Sequence, residues 1–420
     1  MKEGISRKGR GKGGPSYFGL QAIVFALVSA SFTNIYLTQP VLPVLQKEFG
    51  ADLVLVSFSV SAVILGIALS NLPFGFLADK LPIQPIIFSG GLLVALGGLI
   101  CAVTRDFWIL IGARFVQGLF IPALTTCLAA YLAKTLPLER LYVVMGSYVS
   151  ATVLGGLGGR LLGGWLHPPL HWRYAFITAA IFMLLATAAA WRGLPRLPAA
   201  TGKKEASIGF IELLKRGDLL RLYCCAAGSF AIFSSIFNYL PFRLQGPRFQ
   251  FSTELTTLVY LVYVIGIFMG PASGRISSRF GSGNTLLGGT LILGVSLVLI
   301  LVPAIAAVIL GLLGICTGFF AIHAAAVGSL NRKLTRGQGR ANALYVLFYY
   351  TGGWLGITAA GLAYRLGGWN ALVYGTLFFL VIPLSAGIAE RRTAGPLIRR
   401  PLRKFNKPVE GRGKFGYFLY

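Results

Sequence analysis

Acidic residues are scarce in this chain: Asp and Glu number 12 among 420 residues, against 38 Lys and Arg. Charged residues of both signs make up 12% of the sequence and hydrophobic residues 55%. A soluble domain carries about 25% charged residues, and a soluble chain this apolar would expose wide apolar patches and aggregate. Histidine occurs three times and cysteine five times. Cys101, Cys127, Cys224, Cys225 and Cys316 all lie inside apolar runs without metal-ligand spacing. No zinc or nucleophile constellation is visible, which argues against an enzyme and against a metal or other cofactor. The chain has no Gly-x-x-x-x-Gly-Lys-Ser/Thr loop, so an ATP-driven pump would lack its phosphate cradle. Gly9-x-Gly11-x-x-Gly14 matches a dinucleotide loop by letter only, since it stands in a basic tail with no strand before it.

What the chain does have is long apolar runs. A bilayer-crossing helix needs about 20 mostly apolar residues. Twelve stretches qualify, at 18–39, 53–77, 84–103, 107–133, 141–166, 173–191, 219–242, 255–275, 284–302, 304–328, 341–364 and 370–389. The junction at Pro303, between the ninth and tenth, leaves almost no loop. The first run follows a basic start but is too long for a secretory signal and reads as a retained span. The 54 glycines suit close helix–helix approach in lipid.

Assigning the connecting loops alternately to two sides puts about 30 of the 38 Lys and Arg on the side of the N-terminus. Cytoplasmic loops carry such an excess, so both termini are expected in the cytoplasm and the number of spans is even. The formal charge of +26 is then mostly a record of topology. It favours anionic lipid at the cytoplasmic face and gives no reason to expect nucleic acid. The polar stretch 192–218 divides six spans from six. The expected organisation is a basic tail 1–17, helices over 18–191, a cytoplasmic linker 192–218, helices over 219–390, and a basic tail 391–420. An internal repeat supports the division. Gly75 to Lys80 recurs as Gly274 to Arg279, Trp172 as Trp369, and Asp52 as Glu254, each about 200 residues on.

Several motifs carry a resemblance. Gly75-Phe76-Leu77-Ala78-Asp79-Lys80 after the second span resembles the loop signature of the major facilitator superfamily. Arg114-Phe115-Val116-Gln117-Gly118 in the fourth resembles that superfamily's Arg-x-x-Gln-Gly motif. Gly155-Gly156-Leu157-Gly158-Gly159-Arg160 in the fifth, followed by Gly163-Gly164, is similar to the glycine-rich antiporter motif of its drug-efflux branch. Gly159 to Leu161, Phe237 to Tyr239 with Arg243-Leu244, Gly318 to His323, and Tyr345 to Gly352 look like the YnfM-type inner-membrane transporters of bacteria. The chain departs at Pro82, Ile83 and Gln84, where the loop signature has Gly and two basic residues. It departs again at Gly156 and Arg160, where the antiporter motif has Pro and Gly. The resemblance implies an all-α membrane protein with twelve transmembrane helices in two pseudo-symmetric six-helix bundles. It implies a multi-pass secondary transporter of the cell's inner membrane that works by alternating access, taken here as a monomer.

The same resemblance implies roles for individual residues. Gly75, Asp79 and Lys80 would form a gate in which the Asp79 carboxylate meets the second half when the cytoplasmic side is shut. Gly155, Gly156 and Gly159 would serve the conformational change. Arg114, inside a span and with Gln117 on its face, must face protein and serves either proton coupling or helix bridging. Arg160 either holds neighbouring carbonyls, attracts an anionic substrate, or snorkels to the interface. His323 is the only His within a span, and no acid lies near a bilayer centre, so any proton carrier is expected to be His323. Helical spacing adds Asn34 and Thr38 in span 1, Gln117 three residues after Arg114 in span 4, Ser234 and Asn238 in span 7, and Asn342, Tyr345 and Tyr349 in span 11 to Arg160 as candidates for the substrate cavity. With Phe233 and Phe237 they would suit an amphipathic organic molecule. Proton-coupled export is the expected activity. Uptake of a nutrient and a non-transporting membrane sensor are the alternatives, and the motifs do not specify the substrate.

Overall fold

A computed structural model describes residues 17–195 and 208–393. Nearly all of the two basic tails and residues 196–207 of the 192–218 linker therefore lie outside the described residues. Among the described residues, sixteen α-helices run in chain order. The first part contains α1 (Tyr17–Tyr36), α2 (Leu42–Phe49), α3 (Leu53–Lys80), α4 (Ile83–Val103), α5 (Phe107–Leu124), α6 (Thr126–Thr135), α7 (Leu138–Leu166) and α8 (Trp172–Gly193). The second contains α9 (Phe210–Lys215), α10 (Gly217–Gln245), α11 (Thr253–Val259), α12 (Ile265–Phe280), α13 (Ser282–Leu299), α14 (Ile305–Arg332), α15 (Gln338–Phe379) and α16 (Val381–Thr393). Among the described residues, ten segments are long and apolar enough to cross a membrane. One of them, Gln338–Thr393, is broken where Gly367 and Gly368 leave helical geometry. The glycine-rich α7, 29 residues long, packs among them. The chain is thus an all-α multi-pass membrane protein with ten to twelve long apolar helices.

The helix ends follow from local chemistry. Asp52 caps α3 by accepting the Val54 amide at 2.7 Å, and Asp106 caps α5 by accepting the Ile109 amide at 2.9 Å. Ser252 does the same for α11 through Leu255. Each satisfies one of the donors that a helix start leaves free. Gly50 takes a left-handed conformation (φ 58°) that ends α2.

Several boundaries differ from the sequence expectation, among them the break at Leu380 inside the run 370–389. The run 18–39 stops as a helix at Tyr36, and a 3-10 turn over Gln39–Val41, with Pro40 in its first turn, leads into α2. The run 107–133 is interrupted at Thr125, shortly after Pro122 within α5; a proline removes one ladder hydrogen bond and crowds the preceding turn. The run 255–275 is α11 and α12 joined by a 3-10 stretch, Tyr260–Val264. The short helix α9 stands inside the stretch expected to be linker.

Packing relies on small residues, because lipid removes the apolar driving force between helices. Gly155 and Gly159 on α7 lie directly on Ser29 and Thr33 of α1, and Gly163 on Leu37 just past its end, without room for a Cβ. Thr33 Oγ1 donates to the Gly155 carbonyl at 3.2 Å and Ser29 Oγ to that of Ala151 at 3.4 Å. The second part repeats the seam. Gly352 and Gly356 on α15 lie on Ala227 and Ala231 of α10, and Ser234 Oγ donates to the Gly353 carbonyl at 3.3 Å. The two parts meet along α3 with α15 and along α7 with α11 and the 3-10 stretch.

Candidate functional site

Arg114 is fully buried on α5. Its Nε donates to the Ser59 carbonyl at 2.7 Å, Nη1 to the Asn34 carbonyl at 2.6 Å and to Gln117 Oε1 at 2.7 Å, and Nη2 to the Ile35 carbonyl at 2.7 Å. Gln117 in turn donates to Asn34 Oδ1 and to the Val94 carbonyl. These partners lie on α1, α3, α4 and α5. The strongest cation donor in this region is therefore committed to holding one group of helices together, and Asn34 and Gln117 are spent on the same task. Thr38 extends it by donating to the Ser59 carbonyl.

Arg160 on α7 is also buried, at 2% exposure, so it does not snorkel. Its Nε donates to Gln39 Oε1 at 2.6 Å, Nη1 to the Gly156 carbonyl at 2.8 Å, and Nη2 to the Tyr263 hydroxyl at 2.9 Å. Three rings enclose the guanidinium carbon: Tyr36 at 4.0 Å, Tyr263 at 4.1 Å and Tyr260 at 5.4 Å. The 3-10 stretch explains the pair from the second part. Side chains at i and i+3 eclipse in a 3-10 turn, so Tyr260 and Tyr263 turn toward the same cation. Such face-on contacts are favourable for a desolvated guanidinium.

From Tyr263 an aromatic wall continues through the second part. Tyr263 lies 4.5 Å from Phe237 and 5.4 Å from Phe233 by ring centroids. Phe233 stacks on Phe319 at 4.0 Å, and Phe230 on Tyr349 at 3.8 Å. His323 closes the row, 6.0 Å from Phe319 and 5.3 Å from Tyr349. His323 Nδ1 is 3.0 Å from the Tyr345 hydroxyl, so the hydroxyl and that ring nitrogen share one proton between them. His323 and Tyr349 are half-buried while Tyr345 is buried. Asn238, fully buried on α10, has neither side-chain polar atom hydrogen-bonded. Ser234 and Asn342 are buried and bonded within the second part, the latter in a reciprocal pair with Asn331.

The remaining candidates stand at the face where α1 begins. Asp79 is 70% exposed and pairs with Lys134 of α6 at 3.4 Å rather than with the second part. Lys80 lies over the Phe76 ring at 4.0 Å. A Cβ on Gly75 would meet only Thr126, at 3.9 Å. Gly156, by contrast, lies toward the other end of α1, beside Arg160 and Tyr36.

Bonds between the two parts favour the other face. There Arg365 pairs with Asp52 at 3.2 Å, Gln245 donates to the Pro40 carbonyl at 3.4 Å, and Gly164 packs on Thr257. Toward the face where α1 begins, Asn71 donates to the Ala343 carbonyl at 3.3 Å. There Gly270 and Gly274 of α12 have open space at the Cβ position.

Sequence reasoning singled out Arg160, His323, Tyr345, Tyr349, Phe233 and Phe237. It missed Tyr36, Tyr260, Tyr263, Phe230 and Phe319, which complete the box and the wall. The Tyr260-x-x-Tyr263 pair is visible in the sequence, but its meaning depends on a 3-10 turn that an apolar run does not announce.

Residues 24–356 match the family model described as Major Facilitator Superfamily. The chain is 27% identical over 380 residues to the inner membrane transport protein YnfM of Escherichia coli, covering 90% of this chain and 91% of that one. It is 26% identical over 377 residues to the MFS-type transporter YybF of Bacillus subtilis, covering 89% and 93%. A bacterial homologue of the human lysosomal transporter Spinster, in an inward-facing and unoccupied conformation, superimposes with a TM-score of 0.71 at 15% identity, covering 90% of this chain and 96% of that one. The chain therefore belongs to the Major Facilitator Superfamily: it is a multi-pass membrane transporter, not an enzyme, and it moves a small molecule across the bilayer by alternating access.

Proposed function

We propose that the protein exports a small organic molecule in exchange for protons, with His323 carrying the proton. Two six-helix bundles, 18–191 and 219–390, rock about the aromatic wall, joined by the 192–218 linker. The face where α1 begins is cytoplasmic, in keeping with the Lys and Arg excess on that side. The membrane is the inner membrane, the membrane for which the Escherichia coli relative YnfM is named. The chain acts as a monomer, with anionic lipid against its basic face.

The contacts support a cytoplasm-facing state. The bonds across the outer face, Asp52 with Arg365 and Pro40 with Gln245, are made. On the cytoplasmic face Asp79 turns to Lys134 in its own bundle. When the cytoplasmic face shuts, Asp79 is free to meet the second bundle instead. The observation that carries proton coupling is His323. It is half-buried in the wall with one ring nitrogen bonded and the other free of protein partners, while every guanidinium nitrogen of both mid-span arginines donates a hydrogen bond. A carrier must reach solvent, and the arginines do not titrate in the physiological range.

The test uses inverted vesicles with a pH-sensitive dye. Adding an exported compound to wild type should release protons from an acid-loaded lumen. His323→Gln should lose this release while keeping downhill flux, and Asp79→Asn should slow flux in both modes. Proton release that persists in His323→Gln would end the assignment.

A further inference from the structure

Arg114 and Arg160 are the only Lys or Arg side chains in the middle of the described spans, and no Asp or Glu stands there with them. The acids of the described helices sit at helix ends, among them Asp52, Asp79, Asp218 and Glu390. Neither arginine takes part in an ion pair with any described residue. All their bonding partners are neutral carbonyls, amides and one phenol. A guanidinium keeps its charge in a protein. Neutral dipoles solvate that charge without cancelling it, and apolar surroundings let its field reach further than water would. The interior is therefore electropositive.

Position decides which arginine can act on a substrate. The bonds of Arg114 all lie within the first bundle, so none needs to break when the bundles rock. Arg160 keeps Gln39 and Gly156 within its own bundle, but its Nη2 donates across to Tyr263 of the second. Opening the outer face separates α7 from the 3-10 stretch and removes that acceptor. The freed N–H would then point into a desolvated site, an unfavourable arrangement unless another acceptor replaces the phenol. Tyr36, the half-buried ring of the box, remains on the Arg160 side.

We propose that the substrate is an organic anion with a flat apolar body. Its carboxylate, or an equivalent anionic oxygen, takes the place of the Tyr263 hydroxyl on Arg160, and its body stacks on the Phe and Tyr wall. This rests on the alternating-access reading above. It also explains coupling between binding and movement: the anion binds best to the state in which Tyr263 has left, and so shifts the population toward it. A charge-assisted bond from a guanidinium to a carboxylate is stronger than one to a phenol, so the exchange is favourable. An amine of the same shape meets the same positive field and is repelled.

The test uses the full-length protein in detergent with three probes that share one ring system: 2-naphthoate, 2-naphthamide and 2-naphthylmethylammonium. Naphthoate should bind about tenfold tighter than the amide, and the ammonium should not bind. Arg160→Gln should bring naphthoate down to the affinity of the amide. Tyr263→Phe keeps the cation and removes the competing acceptor, so it should tighten naphthoate binding several-fold; this variant decides the matter if Arg160→Gln fails to fold. Equal binding of all three probes, a preference for the ammonium, no naphthoate binding at about 1 mM, or unchanged or weaker binding in Tyr263→Phe would each overturn the proposal. A Thr257→Cys variant, its side chain buried against Gly164 while the outer face is shut, labelled with an impermeant maleimide reports opening of that face without any ligand. Labelling without naphthoate binding leaves alternating access standing and removes the anion. No labelling under any condition removes both.

Discussion

A Cβ placed on Gly155 of α7 would lie 2.5 Å from the carbonyl oxygen of Ser29 on α1, closer than side-chain carbons approach any backbone. The same contact recurs at Gly159 on Thr33 and at Gly163 on Leu37, one helical turn apart each time. Two parallel segments thus touch backbone to backbone at three successive positions, the last just past the end of α1. The hydroxyls of Ser29 and Thr33 reach across to carbonyls of the opposite helix.

This seam sets a stability prediction. Gly155→Val inserts carbon where backbone already stands, and overpacking of this kind costs about 1–3 kcal/mol. Gly274→Ala on α12 meets open space and should stabilise by about 0.5–1 kcal/mol, the usual helix-interior advantage of alanine over glycine. Melting temperatures of the two detergent-purified variants should move in opposite directions.

Arg114 makes a different prediction. Four acceptors converge on its fork within 2.6–2.7 Å, and a lysine ammonium cannot reach them together. Each buried acceptor left unpaired costs about 1–3 kcal/mol. Arg114→Lys should therefore lower the melting temperature nearly as much as Arg114→Ala. A lysine variant with wild-type stability and lost proton release would instead give Arg114 a role in coupling.

Asp52 connects pH to the closed outer face. Its carboxyl lies below the usual aspartate range, chiefly because it accepts the Val54 amide and further because of Arg365, with slight burial opposing. A depressed carboxyl contributes stability above its unfolded value of about 3.9, and that contribution fades as pH falls through the lower folded value. Between pH 5 and 8 the closed face should thus be insensitive to pH at this site, and it should loosen only in stronger acid. Arg365 is 56% exposed, so salt should weaken the pair. Asp52→Asn keeps the helix cap and loses the ion pair, whereas Asp52→Ala loses both and costs about 0.5–2 kcal/mol more. Maleimide labelling of a cysteine introduced at Thr257, buried against Gly164 in the closed face, would report the loosening in each background.

The sequence by itself determined the environment and most of the architecture. Hydropathy is a property of a local window, so runs such as 53–77 and 84–103 reappear as α3 and α4 within a few residues. The glycine spacing of the fifth span and the presence of two cations and one histidine among apolar residues were equally legible. Each is a statement about neighbours in the chain. The partners of those residues are not neighbours in the chain, and only the tertiary structure decided them. Asn34 and Gln117, chosen for their spacing as cavity residues, are consumed by Arg114 from the next helices. The run 255–275 gave no sign of the 3-10 turn that brings Tyr260 and Tyr263 onto Arg160. A buried guanidinium must find acceptors somewhere, and composition can require that much. Which acceptors they are, and whether one of them belongs to the helices that move away, depends on how helices distant in sequence come together in space.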